Sequence, residues 1–140
     1  MLDIEIAMEQ LHGEKVAIAI VKNGKILFET RSRRISGFLD AIERLDGQLE
    51  NSSIADRVAG KAVALLCVYV KAKAVYSEVL SRQAKIVLDK HGVDCNWNNL
   101  VENILNSDRS GLCPFEKAAE DISDPVEAFA AFVELQKALG

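Results

Sequence analysis

The residue best suited to nucleophilic chemistry in this 140-residue chain is Cys113, which opens the stretch "CPFE". The same frame recurs as "DPVE" at residues 124–127, and the two stretches hold the only prolines. An aspartate before a proline in the first helical position predicts a helix start at 124. A thiol is a weak acceptor there, but a thiolate would be stabilised by the helix dipole. "CPFE" therefore predicts either a reactive Cys113 with Glu116 beside it as a catalytic pair, or a packed thiol with Glu116 as a cap.

Lys61 is the second candidate, because it stands at the start of an otherwise apolar stretch, "AVALLCVYV", that predicts a buried helix. Gly60 precedes it, and a glycine in a helix costs about 1 kcal/mol relative to alanine. Close approach of a ligand or of another part of the backbone would offset that cost. We predict that Gly60 and Lys61 either contact an anion or phosphate, or serve packing while the lysine extends along the helix to solvent. Ser53 and Asp56 match a capping box, so we predict that Asp56 caps this helix.

Ser81 and Arg82 form the third candidate site, at a predicted junction of strand and helix in "VLSRQAKIVLDKHG". Free amides and a guanidinium group at such a junction bind phosphate, whereas an ordinary serine cap with an exposed arginine explains the same residues. His91 and Gly92 predict the end of this helix.

The elements that position these candidates alternate along the chain. Asn23-Gly24 between two apolar runs predicts a β-hairpin with a type I′ turn, and its first strand, apolar on both faces, predicts a central strand. We expect one domain over residues 1–140, a three-layer α/β/α sandwich with a mixed sheet of four to five strands, and ligand binding where strands end and helices begin. The predicted strands are 16–21, 25–31, 74–80 and a weak one at 93–97; the predicted helices are 3–11, 38–45, 53–70, 81–92, 99–105 and two that begin at the prolines; 106–112 is a loop.

This layout, with "VKNGK", "DRVAGKAVALL", "VLSRQAKIVLDKHG" and "GLCPFEKA", resembles an uncharacterised family of small prokaryotic proteins, domain of unknown function 1893. The resemblance implies a cytidine deaminase-like fold. Zinc deaminases carry a His or Cys with a nearby Glu at one helix start and Pro-Cys-x-x-Cys at another. Where these motifs would fall, this chain has "AGKA" and "LSRQA". We therefore expect a metal-free domain without a cofactor.

Composition and charge narrow the classes of partner. The net charge of −4 argues against a general nucleic-acid surface. Three cysteines without a Cys-x-x-Cys pair suit a reducing cytoplasm. The most apolar run, 62–70, is far shorter than the roughly 20 residues that span a bilayer, so we expect no membrane partner.

Three functions remain open. The leading one is binding of a small anionic or nucleotide-like ligand at the helix N-termini by Gly60, Lys61, Ser81 and Arg82. Cys113 would also line this site, either as part of its wall or as a nucleophile. The second is a cysteine-dependent enzyme that uses Cys113. The third is a structural or interaction protein that forms a homodimer through an exposed apolar face, such as that of the last helix.

Overall fold

Strands and helices alternate along the chain, as the hydrophobic periods predict. The computed structural model describes residues 1–32, 35–104 and 113–139, and the ranges that follow refer to these parts. The strands are β1 (Ile18–Lys22), β2 (Lys25–Thr30), β3 (Ser53–Ala59), β4 (Ala74–Ser81) and β5 (Asp94–Val101); the helices are α1 (Asp3–Gly13), α2 (Ile35–Leu45), α3 (Lys61–Tyr69), α4 (Arg82–Lys90), α5 (Pro114–Ala119) and α6 (Pro125–Leu139), with a 3-10 turn at Asp46–Leu49. None of these helices is both long and apolar enough to cross a membrane.

The strands form one mixed sheet in the order β2-β1-β3-β4-β5. β1 pairs antiparallel with β2 and with β3, whereas β3, β4 and β5 run parallel to one another. The predicted α/β architecture with a mixed sheet and an N-terminal hairpin is confirmed. Because β3 and β4 are parallel neighbours, α3 and α4 begin side by side at the carboxyl edge of the sheet.

The N-terminal hairpin has the predicted turn. Asn23 and Gly24 have φ values of 52° and 77°, as a type I′ turn requires. The carboxylate of Asp3 accepts hydrogen bonds from both of these backbone N–H groups, each at 2.9 Å. α1 is therefore fixed to the tip of the hairpin at its first turn.

The two faces of the sheet are covered unequally. α1 packs on one face in a small cluster that includes Leu11, Val21 and Tyr76. The other face carries the main core, to which α2, α3, α4, α5 and α6 all contribute. β1 is buried from both sides, which confirms its prediction as a central strand. The largest fully buried side chains of the main core are Ile20, Leu49, Ile54, Leu65, Leu66, Leu80, Leu88 and Phe132.

The prediction that Ser53 and Asp56 cap a helix is wrong, because these residues lie in β3. Helix α3 begins only at Lys61, with Gly60 as its N-cap residue. The S-x-x-D spacing imitates a capping box, but pairing with β1 on one side and β4 on the other holds the segment extended. Tertiary pairing overrides this local signal.

The prediction of a short helix over residues 99–105 is also wrong. Residues 99–101 are the last three of β5, which is a full edge strand of eight residues rather than a weak one. Its regular pairing with β4, from Ala74 opposite Asp94 to Ser81 opposite Val101, outweighs the poor strand propensity of its asparagines. The predicted loop at 106–112 lies outside the described residues.

Candidate anion-binding site

The candidate residues Gly60, Lys61, Ser81 and Arg82 come together at the carboxyl edge of the sheet. Ala59 lies opposite Leu80 in the parallel pair of β3 and β4, so the two helix starts are neighbours. Helix α5, which carries Glu116, packs against α3 beside them. The sequence therefore identified one contiguous region of the fold.

The backbone N–H groups at the start of α3, which would be needed to bind an anionic ligand, are hydrogen-bonded to the side chain of Glu116. Its two carboxylate oxygens accept hydrogen bonds from the backbone N–H groups of Lys61 and Ala62, each at 3.0 Å. The partners are separated by 55 and 54 residues along the chain. Glu116 thus caps a distant helix rather than its own, and it joins α5 to the edge of the sheet.

Gly60 makes room for this contact. A Cβ atom at this position would overlap with the carboxyl group of Glu116 and would come within 2.7 Å of even the farther oxygen. The close approach that a glycine here predicts is therefore made by a side chain of the same molecule. Alanine has no room at this position unless Glu116 moves.

Burial determines the electrostatics of Glu116, whose exposed fraction is only 9%. Desolvation raises the pKa of Glu116, while the two amide hydrogen bonds and the charge of Lys61 oppose that rise. The carboxyl group is thus held in a place where its charge is costly. The amides of α3 and their helix dipole compensate part of that cost.

Ser81 caps α4 as predicted. Its hydroxyl oxygen accepts a hydrogen bond from the backbone N–H of Ala84 at 3.1 Å, and the side chain is almost fully buried. Arg82 is exposed and pairs with the carboxylate of Glu102. The Ser81 hydroxyl and the Arg82 guanidinium thus each have a partner within the chain.

A cavity of about 20 Å³ lies between these caps, lined by Ser81, Gln83, Glu102 and Glu116 among others. This volume is close to that of a single water molecule. It is too small for an organic ligand.

Lys61 faces another part of the surface. Its ammonium group donates a hydrogen bond to the backbone carbonyl of Glu120, the C-cap residue of α5, at 3.1 Å. Lys61 also lines a groove of about 270 Å³ beside α4. The groove is lined by Lys61, Gln83, Ile86, Val87, Lys90, His91 and Ser123.

The α4 side of the groove follows from helical spacing. Gln83, Ile86, Val87 and Lys90 are three or four residues apart and so share one face of the helix. Seven residues at 1.5 Å each place Gln83 and Lys90 about 10 Å apart. The α4 wall of the groove is therefore about 10 Å long, with Lys90 at one end and the apolar Ile86 and Val87 between Lys90 and Gln83.

The charges that line this groove have one sign. Lys61, Lys90 and His91 contribute the only ionisable side chains among the described lining residues. The other two basic side chains of α4 have acidic partners: Lys85 pairs with Asp89 at 2.6 Å and Arg82 with Glu102. Lys90 forms no ion pair within the described parts of the chain. An anion entering the groove would therefore meet positive charge without a competing carboxylate on its walls.

Cys113 is the N-cap residue of α5, and its side chain makes no capping hydrogen bond. It is partly buried, and its backbone carbonyl accepts a hydrogen bond from Lys117 at 3.0 Å. It is not among the residues that line the groove. Glu116, its predicted catalytic partner, faces α3 instead.

Asp56 is a half-buried acid that lies in a strand rather than at the helix start that the sequence predicts. It lies in β3 opposite Ile18 and Ser77, on the face of the main core. Burial raises the pKa of Asp56 to about 7, and hydrogen bonds from the backbone of Val58 and Arg57 oppose that rise. This carboxyl group is therefore neutral over much of the acidic range.

No cluster of three or more His, Cys, Asp or Glu side chains suited to a metal ion occurs within residues 1–32, 35–104 and 113–139. The metal-free character that the sequence predicts stays a prediction.

The comparisons with known proteins identify a family without assigning chemistry. The family model TM1506, described as a domain of unknown function (DUF1893), matches residues 6–135. The chain belongs to this family. A crystal structure of a DUF1893 family protein (TM1506) from Thermotoga maritima is similar at 22% sequence identity, with a TM-score of 0.86. The likeness covers 94% of this chain and 88% of that one, and it shows the fold. No curated protein matches the sequence.

Sequence reasoning missed most of the groove. Gln83 and Lys90 had a usable signal, namely their spacing along one helix face with Ile86 and Val87. Ser123 and the carbonyl of Glu120 had none, because they reach Lys61 only through the packing of α5 against α3.

Proposed function

We propose that this DUF1893 domain binds a small organic anion in the groove beside α4. The observation that carries the proposal is the gathering of Lys61, Lys90 and His91 around an apolar wall that no carboxylate shares. Ile86 and Val87 form that wall. A ligand with a phosphate or carboxylate group and an apolar body, including a nucleotide-like molecule, would match both parts.

In this proposal the ligand binds in the groove rather than at the helix N-termini that the sequence favours, because the hydrogen-bonding groups at those N-termini already have partners. The amides of Lys61 and Ala62 are hydrogen-bonded to Glu116, and the Ser81 hydroxyl is bonded to Ala84. Lys61 is the shared residue, because its backbone belongs to the occupied helix start and its side chain to the groove. In this proposal Lys61 and Lys90 neutralise the anion, and Gln83 and Ser123 supply hydrogen bonds.

The cytidine deaminase-like relationship enters the proposal as architecture only. The mixed sheet with helices on both faces supports it. The resemblance implies that the zinc-ligand motifs would fall at "AGKA" and "LSRQA", which contain no His, Cys, Asp or Glu. We expect added Zn²⁺ to leave the melting temperature unchanged. A specific rise would contradict the metal-free assignment.

Thermal shift with two matched probes tests the proposal. Phenyl phosphate carries both a charge and an apolar ring, whereas inorganic phosphate carries the charge alone. A ligand that binds only the folded state must raise the melting temperature, so we expect phenyl phosphate to raise it at millimolar concentration and inorganic phosphate to do so less. Adenosine monophosphate extends the panel to nucleotide-like anions.

Variants then locate the binding. Lys61→Ala and Lys90→Ala should each weaken phenyl phosphate binding about tenfold, the equivalent of about 1.4 kcal/mol. Lys85→Ala is the matched control, because Lys85 lies on the same helix but pairs with Asp89 outside the groove. The absence of any shift across the panel, or an equal loss in Lys85→Ala, would contradict the proposal.

Cys113 remains the predicted residue of the alternative enzymatic function. Loss of a measured turnover in Cys113→Ser, with turnover retained in Cys95→Ser, would support that alternative.

A further inference from the structure

The two edges of the sheet differ in how they resist pairing with another chain. At one edge, β2 carries Lys25 and Glu29 exposed, and its register with β1 shifts opposite Ile20 and Val21. Charged side chains and irregular pairing of this kind discourage a further strand. The β2 edge is therefore protected.

The other edge lacks these devices. β5 pairs with β4 alone within the described parts of the chain, and the pairing runs over eight residues without a register shift. It contains no proline, lysine or arginine, and its single charged residue is Asp94. Four consecutive residues in its middle, Asn96, Trp97, Asn98 and Asn99, are exposed. A long, regular and nearly uncharged edge strand is a template for strand addition.

We propose that β5 pairs antiparallel with β5 of a second copy of this chain, giving a two-fold dimer with a continuous ten-stranded sheet. A two-fold axis perpendicular to the sheet is required, because it brings identical edges together and reverses the strand direction. Residues directly opposite each other then lie on the same face. One residue of β5 must therefore lie opposite its own copy. The middle of the strand offers Asn96, Trp97 and Asn98 for this central position.

Charge and the length of the pairing select the register. Centring on Asn98 would place Asp94 opposite Glu102 of the second copy, a pair of like charges, and centring on Asn96 would pair only residues 94–98 of the strand. Centring on Trp97 places Asp94 opposite Leu100, Asn96 opposite Asn98 and the two Trp97 side chains opposite each other. Asparagine amides both donate and accept, so they can pair across the two strands. The register centred on Trp97 is thus free of opposed like charges.

The charges at the two ends of β5 are balanced. Its first residue, Asp94, lies beside the exposed Lys73, whose carbonyl accepts a hydrogen bond from the Asp94 N–H at 3.3 Å. Its last residue is followed by the exposed Glu102, which pairs with Arg82. Each end thus carries one basic and one acidic group, so antiparallel pairing brings together no ends of like net charge. One strand pair buries less area than a standard interface, so we expect a dissociation constant on the order of 10 μM.

Sedimentation velocity over a range of concentrations measures this dimer directly. The wild-type chain should approach twice the monomer mass of 15.4 kDa as its concentration rises above the dissociation constant. A chain that stays monomeric at about 200 μM would overturn the proposal. Ile26→Lys on the protected β2 edge is the control, and its mass should match that of the wild type.

Two double variants test the register. Asn96→Lys with Asn98→Lys places ammonium groups opposite each other in the proposed pairing and should weaken the dimer more than tenfold. Asn96→Lys with Asn98→Glu places opposite charges in the same positions and should restore dimerisation. All of these side chains are exposed, so the folded monomer should tolerate them, as circular dichroism would verify. An undiminished dimer in the first variant, or an equal loss in both, would overturn the proposed pairing.

Discussion

The starts of α3 and α4 lie side by side at one edge of the sheet, yet they are capped in opposite ways. The amide of Ala84 in α4 bonds to Ser81, three residues earlier in the chain. The amides of Lys61 and Ala62 in α3 bond to Glu116, more than 50 residues later. The first cap belongs to a local motif, whereas the second exists only when α5 has docked. The comparison shows that a helix N-terminus which resembles a ligand site can instead be a joint between distant parts of the chain.

The largest expected effect comes from closing the space at the α3 cap. Gly60→Ala places a methyl group where the Glu116 carboxyl group lies, so the carboxylate must leave the amides or the backbone must shift. We expect the free energy of unfolding to fall by about 3 kcal/mol, measured by guanidinium denaturation. Gly13→Ala is the control, because nothing lies within 4 Å of its added Cβ. Equal stability of the two variants would mean that Glu116 does not occupy this position.

Removal of the distant acceptor is expected to cost somewhat less. Glu116→Ala leaves two amide groups of α3 without their acceptor and should lower the free energy of unfolding by about 2 kcal/mol. In Gly60→Ala this carboxylate is already displaced, so adding the second substitution should cost little more. A double-mutant cycle that shows full additivity would contradict a direct contact.

The two caps should also differ in their response to pH. Burial raises the pKa of Glu116 in the folded state, so that state binds the proton more tightly than the unfolded chain does. The contribution of this group to stability is therefore complete at pH values below the ordinary glutamate value and is lost as the pH rises through the folded pKa. Glu116→Gln should remove this slope, whereas Ser81→Ala should keep it.

The pH dependence due to Glu116 must be taken as the difference between the wild type and Glu116→Gln, because Asp56 also titrates. Its folded pKa of about 7 gives a loss of stability in the same direction, from about pH 4 to pH 7. Asp56 is present in the wild type and in Glu116→Gln, so its contribution cancels when the stability profile of the variant over pH is subtracted from that of the wild type. A flat difference would show that Glu116 does not titrate above its ordinary range.

At the local cap we expect a smaller loss. Ser81→Ala removes one acceptor and should lower the free energy of unfolding by about 1 kcal/mol, as serine caps do in general. Ser81→Asp retains an acceptor and serves as the matched control. A loss in Ser81→Ala as large as that in Glu116→Ala would remove the distinction between the two caps.

The smallest effect should come from Arg82, which adjoins the local cap. Its ion pair with Glu102 joins two exposed side chains, and such pairs contribute little. Arg82→Ala should change the free energy of unfolding by less than about 0.5 kcal/mol. A change above 1 kcal/mol would show that Arg82 supports more than this pair.

What the sequence predicted correctly was local. The Asn23-Gly24 turn, the Ser81 cap, the Gly92 helix end and the two proline-initiated helices each depend on a few adjacent residues. The apolar periods of the longer elements predicted the mixed α/β layers. These signals do not depend on which helices and strands pack against each other.

The errors had the opposite origin. β3 contains a capping-box pattern and β5 is rich in asparagine, and both become strands because a neighbouring strand pairs with them. Glu116 lies only three residues after Cys113, which predicts that the two side chains act together, yet the Glu116 carboxylate bonds to α3. The groove likewise joins α4 to residues near 61 and 123 that only packing brings together. Long-range pairing decided each of these features.

The most direct test of the distant cap follows the backbone amides themselves. In an NMR pH titration, the amide signals of Lys61 and Ala62 should shift together with a single pKa above the ordinary glutamate value, while the Ala84 signal stays constant over that range. Glu116→Gln should abolish the shift of the first two signals. If Lys61 and Ala62 titrate in the same way in Glu116→Gln, or do not titrate in the wild type, then the Glu116 carboxylate does not cap α3.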